Sequence, residues 1–409
     1  MIDCVVVGGG PAGLAASAAL ANCDVEHVVL ERGRVGETLR SQRWDSFRLN
    51  TPGWANAMLG DQSSDYLTGA EVIERLEKLA AGAPVHEGVK VIRLAPERGR
   101  YALDVDDGVI WARTVVVATG DENVPRIPAL ARAFPDRIAQ YHAADYRNPR
   151  ELPDGAVLVV GSAQSGCQIA EDLLACGRRV MLATSAVARV PTPYRGRHII
   201  EWAFEAGWFN ERPQDLPDPA MMREPIPIFA PCCRALSLQA LARAGATLAG
   251  RLVAVDFKQA SFDGSAAANV AAGDEFAAQA RAVADEFIAR TGVEAPPAEP
   301  DDADVPVDLD PPAVLDLDEI GSVVWCTGFT GDFSWLDPAL LEADGRPRRL
   351  GCAAALPGIC YIGLNWLTHR GSGALLGIPQ DAATVAAALA AQLTPPKSAF
   401  SALSVPKTG

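Results

Sequence analysis

The chain has nine cysteines but no C-x-x-C and no C-x-x-x-x-C spacing. That excludes the paired-thiol redox centre that such spacings build. Cys232 and Cys233 are neighbours, a poor geometry for a useful bridge. Scattered unpaired thiols suit a reducing cytosol, so a cytoplasmic location is expected. No His/Cys spacing matches a metal site, and no metal is expected. No apolar run is long enough to span a bilayer. The chain enters a strand pattern at once, which predicts no secretory leader. Positive charge is scarce. Lys and Arg number 36 against 51 Asp and Glu, for a net charge of −15. This excludes nucleic acid and anionic membrane as natural partners. No Lys or Arg occurs between Arg290 and Arg346.

Glycine is abundant, and it is placed. Gly8-Gly9-Gly10-Pro11-Ala12-Gly13 follows the apolar run Cys4–Val7. Gly161-Ser162-Ala163-Gln164-Ser165-Gly166 follows Val157–Val160. Each joins a strand pattern to a helical one, the context that gives a G-x-G-x-x-G turn its meaning. Two such turns imply two dinucleotides side by side, and so electron transfer between them. In the first, Gly8 permits the tight turn, Gly10 the approach of a pyrophosphate, and Gly13 close helix packing. The helix, from Ala12 to about Leu20, offers its N-terminus to the anion. The strand Val28–Leu30 ends at Glu31, the spacing of a ribose ligand.

The second unit differs at the matching place. Its strand Val180–Ala183 runs into Thr184-Ser185 with no acid, and Arg178, Arg179 and Arg189 are near in sequence. An acid there would repel a 2′-phosphate, whereas hydroxyls and arginines can receive one. NADP is therefore expected in preference to NAD.

The remaining pattern predicts an α/β chain with two Rossmann-like dinucleotide-binding domains, the second inserted in the first. Residues 68–81 read as an amphipathic helix, with Val72, Ile73, Leu76 and Leu79 on one face. Val115–Gly120, ending Thr119-Gly120, recurs as Val323–Gly328, ending Thr327-Gly328. The expected division is 1–150, 151–320 and a return segment 321–409. Within it, about 255–320 reads as an inserted helix (Ala277–Ala289) and an acidic, partly flexible Pro/Asp-rich linker. Ile359–Gly363 reads as a last strand and Asp381–Leu393 as a closing helix.

With these residues in place, the chain resembles the class B flavin-containing monooxygenases and the bacterial FAD- and NADPH-dependent oxidoreductases related to them. Trp44-Asp45-Ser46-Phe47-Arg48-Leu49-Asn50-Thr51 is similar to that family's YDSxxxNT segment. His142-Ala143-Ala144-Asp145-Tyr146-Arg147 is similar to the second half of its F-x-G-x-x-x-H-x-x-x-[WY] fingerprint. The first half departs, with Asp136 and Ile138 in place of the aromatic and the glycine. The resemblance implies FAD on the first turn and NADPH on the second. It implies hydride transfer to the flavin, reaction with O₂ to a C4a-(hydro)peroxyflavin, and oxygen transfer to a small nitrogen or sulfur compound. Asn50 becomes the expected catalytic residue. The expected cofactor-binding set is Gly8, Gly10, Gly13, Glu31, Arg32, Trp44, Thr119 and Gly120 on the first side. On the second it is Gly161, Ser162, Gln164, Ser165, Gly166, Thr184, Ser185 and Arg189, with Thr327 and Gly328 at the return.

Tyr194, Trp202, Phe204, Trp208 and Phe209 form an aromatic group that suits either core or pocket. His369 suits either a structural or a substrate-facing role. Gly371, Gly373 and Gly377 predict a backbone that approaches the flavin closely. A small-molecule substrate and O₂ are the expected partners, and a homodimer is compatible with the pattern. The alternative activity is an NADPH-dependent flavoprotein reductase. A third reading, a cofactor-binding interaction protein acting through its acidic segment, leaves two intact dinucleotide sites without a purpose.

Overall fold

The architecture comes from a computed structural model that describes residues 1–223, 227–229 and 236–394. Cys232 and Cys233 lie outside the described residues. The elements that frame the site are, in chain order, β1 (Ile2–Val7), α1 (Pro11–Asn22), β2 (His27–Glu31), α2 (Gly69–Ala80), β3 (Val85–Glu87) and β4 (Gly108–Val117). Then come β5 (Ala139–His142), β6 (Ala156–Val160), α3 (Gln164–Ala175), β7 (Val180–Ala183), α4 (Ile199–Glu205), β8 (Thr247–Ala249) and α5 (Ala266–Thr291). The chain closes with β9 (Ile320–Trp325), β10 (Ile359–Tyr361) and α6 (Ile378–Leu393).

Two parallel sheets organise them. The first runs β10-β4-β1-β2-β3, all parallel, extended at one end by the short antiparallel strands Ala353–Ala354 and Arg349–Leu350. The second is fully parallel, in the order β8-β7-β6-β9-β5. Both central strands are buried apolar runs: Cys4–Val7 in β1 and all of β6. That composition suits strands covered on both faces. Helix α1 begins with Pro11 at its first position and buries Leu14, Ala16 and Leu20. Helix α2 starts in a capping box. Thr68 Oγ1 accepts from the Glu71 backbone, and the Glu71 carboxylate accepts from Thr68 N at 2.8 Å.

The two units are built on one plan. Gly8 N donates to Leu30 O at 2.8 Å, and Gly161 N to Ala183 O at 3.0 Å. Ala118 N donates to Val7 O, and Cys326 N to Val160 O, both at 2.8 Å. The recurrence of Val115–Gly120 as Val323–Gly328 is thus a structural equivalence.

That equivalence moves the domain boundaries. β5 and β9 pair inside the second sheet, so residues 139–142 and 321–325 do not belong to the first unit as expected. The neck lies where Val124–Pro125 pairs antiparallel with Phe329–Thr330. The Thr327 hydroxyl donates to Arg126 O, and Arg126 N donates to Gly328 O at 3.0 Å. The expected division puts the exit at residue 150. Strand pairing places it near residue 125, because the second sheet needs β5 as its edge.

The insertion is also more ordered than its composition predicts. Helix α5 spans 26 residues. The acidic stretch after it is anchored: Glu299 accepts from Arg195 N and Gly196 N at 2.7 Å, and Arg243 donates to Val305 O at 2.7 Å.

Candidate functional site

Both glycine turns sit at the carboxyl ends of their central strands, where open α/β sheets bind ligands. Gly8 has φ +117°, and a Cβ there would lie 2.5 Å from Ala118 O. A Cβ at Gly13 would lie 1.8 Å from Gly8 O, and one at Gly166 1.9 Å from Gly161 O. These glycines answer to the protein's own packing. Gly10 does not. Its φ is an ordinary −84°, and a Cβ there would meet nothing within 4 Å. Space left open at the N-terminus of α1 is the feature a pyrophosphate requires. The Thr119 hydroxyl, buried at the end of β4 next to Gly8, has no hydrogen-bond partner. Gly120 follows with φ +71°. A buried hydroxyl left unpaired beside the glycine turn lacks a partner that the protein itself supplies.

Glu31 is 8 % exposed. Its carboxylate accepts from Gly9 N at 2.6 Å and Gly33 N at 2.9 Å. It is therefore fixed beside the turn, with lone pairs left for a ribose. Arg32, next along, is exposed. In the second unit the link between turn and strand end is reversed. Ser162, fully buried, accepts from Ser185 N at 3.0 Å and donates to Ser185 O at 3.1 Å. By strand register, Thr184 occupies the place of Glu31. Its hydroxyl donates to Ala249 O at 2.7 Å and accepts from Asn269 Nδ2 at 3.0 Å.

Several expectations are corrected here. Trp44 packs with Tyr146, Val159 and Cys326 in the core of the second unit. It faces that core and not the first turn. Arg178 donates to the carbonyls of Pro149, Leu152, Pro153 and Gly155, and so clamps a loop. Arg179 pairs with Glu319 at 3.4 Å. Arg189 is 2 % exposed and held by Asp274, Asp301 and Asp304. Carboxylates already occupy it, which leaves it no face for a phosphate. Thr327 serves the neck, unlike its counterpart Thr119.

Asn50 reaches the second turn. Its amide donates to Gln164 Oε1 at 3.3 Å. Gln164, first residue of α3, also pairs with the backbone of Phe229 through both ends of its amide, at 2.8 and 2.9 Å. Ser165 follows, half-buried. The fingerprint segment is a joint. His142 Nδ1 accepts from Ala144 N, so Nε2 carries the proton and donates to Gly328 O at 3.1 Å. Burial lowers its pKa from the usual imidazole value. Tyr146 donates to Asp172, which also accepts from Ser46 at 2.8 Å. Arg147 donates to Ala144 O and Tyr146 O in its own unit and to Ser41 O and Arg43 O in the other.

The loop after β10 makes a second joint, which no spacing in the sequence announced. Arg370 lies 4.1 Å from the ring centre of Trp208 and 4.6 Å from that of Trp366, and pairs with Glu211. His369 is 4 % exposed and contacts Phe209 O through Nδ1 at 3.1 Å. It is structural. Trp208 and Phe209 therefore belong to this joint, while Tyr194 and Trp202 are core. Of the five aromatics, Phe204 lines a groove of about 470 Å³ with Trp54, Met58, Leu375, Leu376 and Pro379. Arg197, Glu201 and Glu205 stand at the same groove. Gly377 approaches Gly371 O so closely that a Cβ would lie 2.2 Å away, so this glycine serves loop packing.

The fold and the paired turns define a chain with two Rossmann-like units. Residues 5–194 match the profile of the pyridine nucleotide-disulphide oxidoreductase family. An uncharacterized CzcO-like oxidoreductase of Geobacillus kaustophilus is 27% identical over 391 residues, covering 93% of this chain and 96% of its own. Indole-3-pyruvate monooxygenase YUCCA1 of rice (Oryza sativa subsp. japonica) is 31% identical over 185 residues, 43% of this chain and 46% of its own. A flavin-containing monooxygenase from Stenotrophomonas maltophilia shares the fold with a TM-score of 0.65 at 18% identity, over 96% of this chain and 99% of that one. So does an ornithine N-hydroxylase from Kutzneria, solved with reduced FAD, NADP⁺ and L-ornithine, at TM-score 0.62 and 16% identity, over 96% and 100%. The chain is thus similar over residues 5–194 to the pyridine nucleotide-disulphide oxidoreductases, and shares its fold with flavin-containing monooxygenases. No helix among the described residues is long and apolar enough to cross a membrane.

Proposed function

We propose that this chain is a flavin-dependent monooxygenase that uses a reduced pyridine nucleotide and O₂ to oxygenate a small nitrogen- or sulfur-containing compound. The observation that carries the reading is the Asn50–Gln164 hydrogen bond. It ties the segment that resembles the family's YDSxxxNT motif to the second glycine turn. A bound FAD would supply the hydride acceptor and the O₂ chemistry. The protein's part is to bind, orient and exclude water. Gly8, Gly10, Gly13, Glu31, Thr119 and Gly120 hold FAD. Gly161, Ser162, Gln164, Ser165, Gly166 and Ser185 hold the nicotinamide cofactor. Asn50 presents an amide where polar character develops between them. The joints through Arg147 and Arg370 keep the two halves in register, which positions hydride donor and acceptor. The substrate enters by the groove between Trp54, Met58, Phe204 and Leu376.

The test is stoichiometric. Protein loaded with FAD is given NADPH, O₂ and a panel of amines, sulfides and ketones, and oxygenated product and hydrogen peroxide are measured together. Product formed one-for-one with NADPH on an amine or sulfide supports the reading. Rapid reduction of an artificial electron acceptor, with no oxygenated product from any class, replaces it with the reductase reading.

A further inference from the structure

The carboxyl end of β7 decides what the second nucleotide presents at its ribose. At the equivalent end of β2 stands Glu31, placed to meet a ribose 2′-OH. At β7 stands Thr184, 1 % exposed and neutral, its hydroxyl held by Ala249 O and Asn269. No acid there repels a 2′-phosphate. Yet the cation that would attract one is withheld. Arg189 Nε and Nη2 both donate to Asp274 Oδ1, at 2.9 and 2.7 Å. Asp304 takes Nη2 as well. Arg281 reaches Asp301 at 2.9 Å and Asp304 at 2.7 Å. Two guanidiniums thus face three carboxylates, and no positive charge is left over. Arg189 Nη1 is buried without a hydrogen-bond partner, so the pairing also leaves that donor unsatisfied. Asn269, Asp274 and Arg281 all belong to helix α5, and Asp301 and Asp304 to the stretch after it. The inserted segment, not the Rossmann unit, sets the charge at this ribose.

We propose that the α5 insertion makes the second nucleotide site indifferent to the 2′-phosphate, so that NADH and NADPH bind almost equally. The proposal rests on the reading of the second turn as the nicotinamide site. Loss of the ribose acid removes discrimination against NADPH. Capture of Arg189 removes discrimination in its favour. Arg251, exposed just beyond β8, is the competing candidate for a phosphate contact; its charged neighbour is Asp263.

Adenosine fragments test this without turnover. FAD-loaded protein is titrated calorimetrically with ADP and with 2′,5′-ADP. The expected dissociation constants agree within about threefold, because a gained phosphate contact would change them by tenfold or more. In D274N/D304N, 2′,5′-ADP should bind about tenfold more tightly while ADP is unchanged, since Arg189 is then released. The single D274N variant, altering a half-exposed carboxylate, should move the ratio in the same direction. A parent protein that prefers 2′,5′-ADP by about thirtyfold or more, with the preference lost in R251A, overturns the proposal. So does an unchanged ratio in both carboxylate variants. If neither fragment binds at about millimolar concentration, the second turn is not a nucleotide site and the proposal falls with it. If both bind equally but NADPH drives no oxygenation, this proposal stands and the monooxygenase reading fails.

Discussion

Asn50 and Gln164 lie 114 residues apart in the chain and 3.3 Å apart in the fold. Asn50 follows the segment packed on the second core, and Gln164 opens α3. Their hydrogen bond ties the Trp44–Thr51 segment to the second glycine turn. It also gives the amide of Asn50 a fixed orientation, since Gln164 is itself held at both ends by Phe229.

Asn50→Ala should leave FAD bound, because the glycine cradle and Glu31 lie elsewhere. Product formation should fall by up to about a hundredfold, the effect of removing one preorganised donor from a reacting centre. Hydrogen peroxide per NADPH should rise. Unchanged coupling in this variant, measured by peroxide and product yields, would remove Asn50 from the chemistry.

The two glycines of the first turn should separate fold from ligand. Gly13→Ala drives a methyl into Gly8 O at 1.8 Å and should cost about 3 kcal/mol or more. A thermal melt of cofactor-free protein reads that loss. Gly10→Val meets open space, so the same melt should be almost unchanged, while FAD affinity should drop about tenfold or more. Equal FAD affinity in parent and Gly10→Val would show that the space is not used.

Asp121 follows Gly120 and is raised to about 6, chiefly by burial and then by Glu122 beside it. A carboxyl whose folded value lies above its free value of 3.8 stabilises the fold below that free value. The contribution is lost as pH rises through about 6. Asp121→Asn should therefore be more stable than the parent at pH 7 to 8, with the difference closing towards about pH 4. Melting temperatures across that range check the sign, and a constant difference refutes the assignment.

Arg147→Met should loosen the joint between the units. Four carbonyls lose a charged donor, a cost of about 1.5–3 kcal/mol. Flavin reduction by NADPH should slow more than FAD binding weakens. Stopped-flow reduction and FAD titration, compared in one variant, separate the two effects.

His198 is pushed down to about 4 by burial. A histidine held neutral this way adds stability above its free value near 6.5, and the contribution is lost as pH falls towards about 4. An NMR titration of its ring should show no protonation at pH 6. Titration near the free value would place His198 in solvent.

The backbone plan was legible in the sequence because it is local. A buried strand, a glycine turn, a helix and the next strand span about 25 residues, and their spacing follows from backbone geometry. That is why both Rossmann-like units, the amphipathic helix at 68–81 and the recurrence of Thr119-Gly120 as Thr327-Gly328 could be read directly. It also fixed Gly8, Gly13, Gly161 and Gly166, whose hydrogen atoms face backbone carbonyls.

Partners were not legible. Arg189 stands five residues beyond Thr184 and looked free for a phosphate, but Asp274 and Asp304 reach it from 85 and 115 residues away. Trp44 sits in a segment similar to a flavin-side motif, yet it packs into the second core. Trp208 and Phe209 gained their meaning only from Arg370 and His369. The domain boundary moved for the same reason: β5 and β9 count as strands of the second sheet only once they pair with it. Sequence spacing sets which way a side chain leaves the backbone. Charge neutralisation, packing and strand pairing between distant segments set what it meets, and in this protein they leave Arg189 paired with Asp274, Asp301 and Asp304.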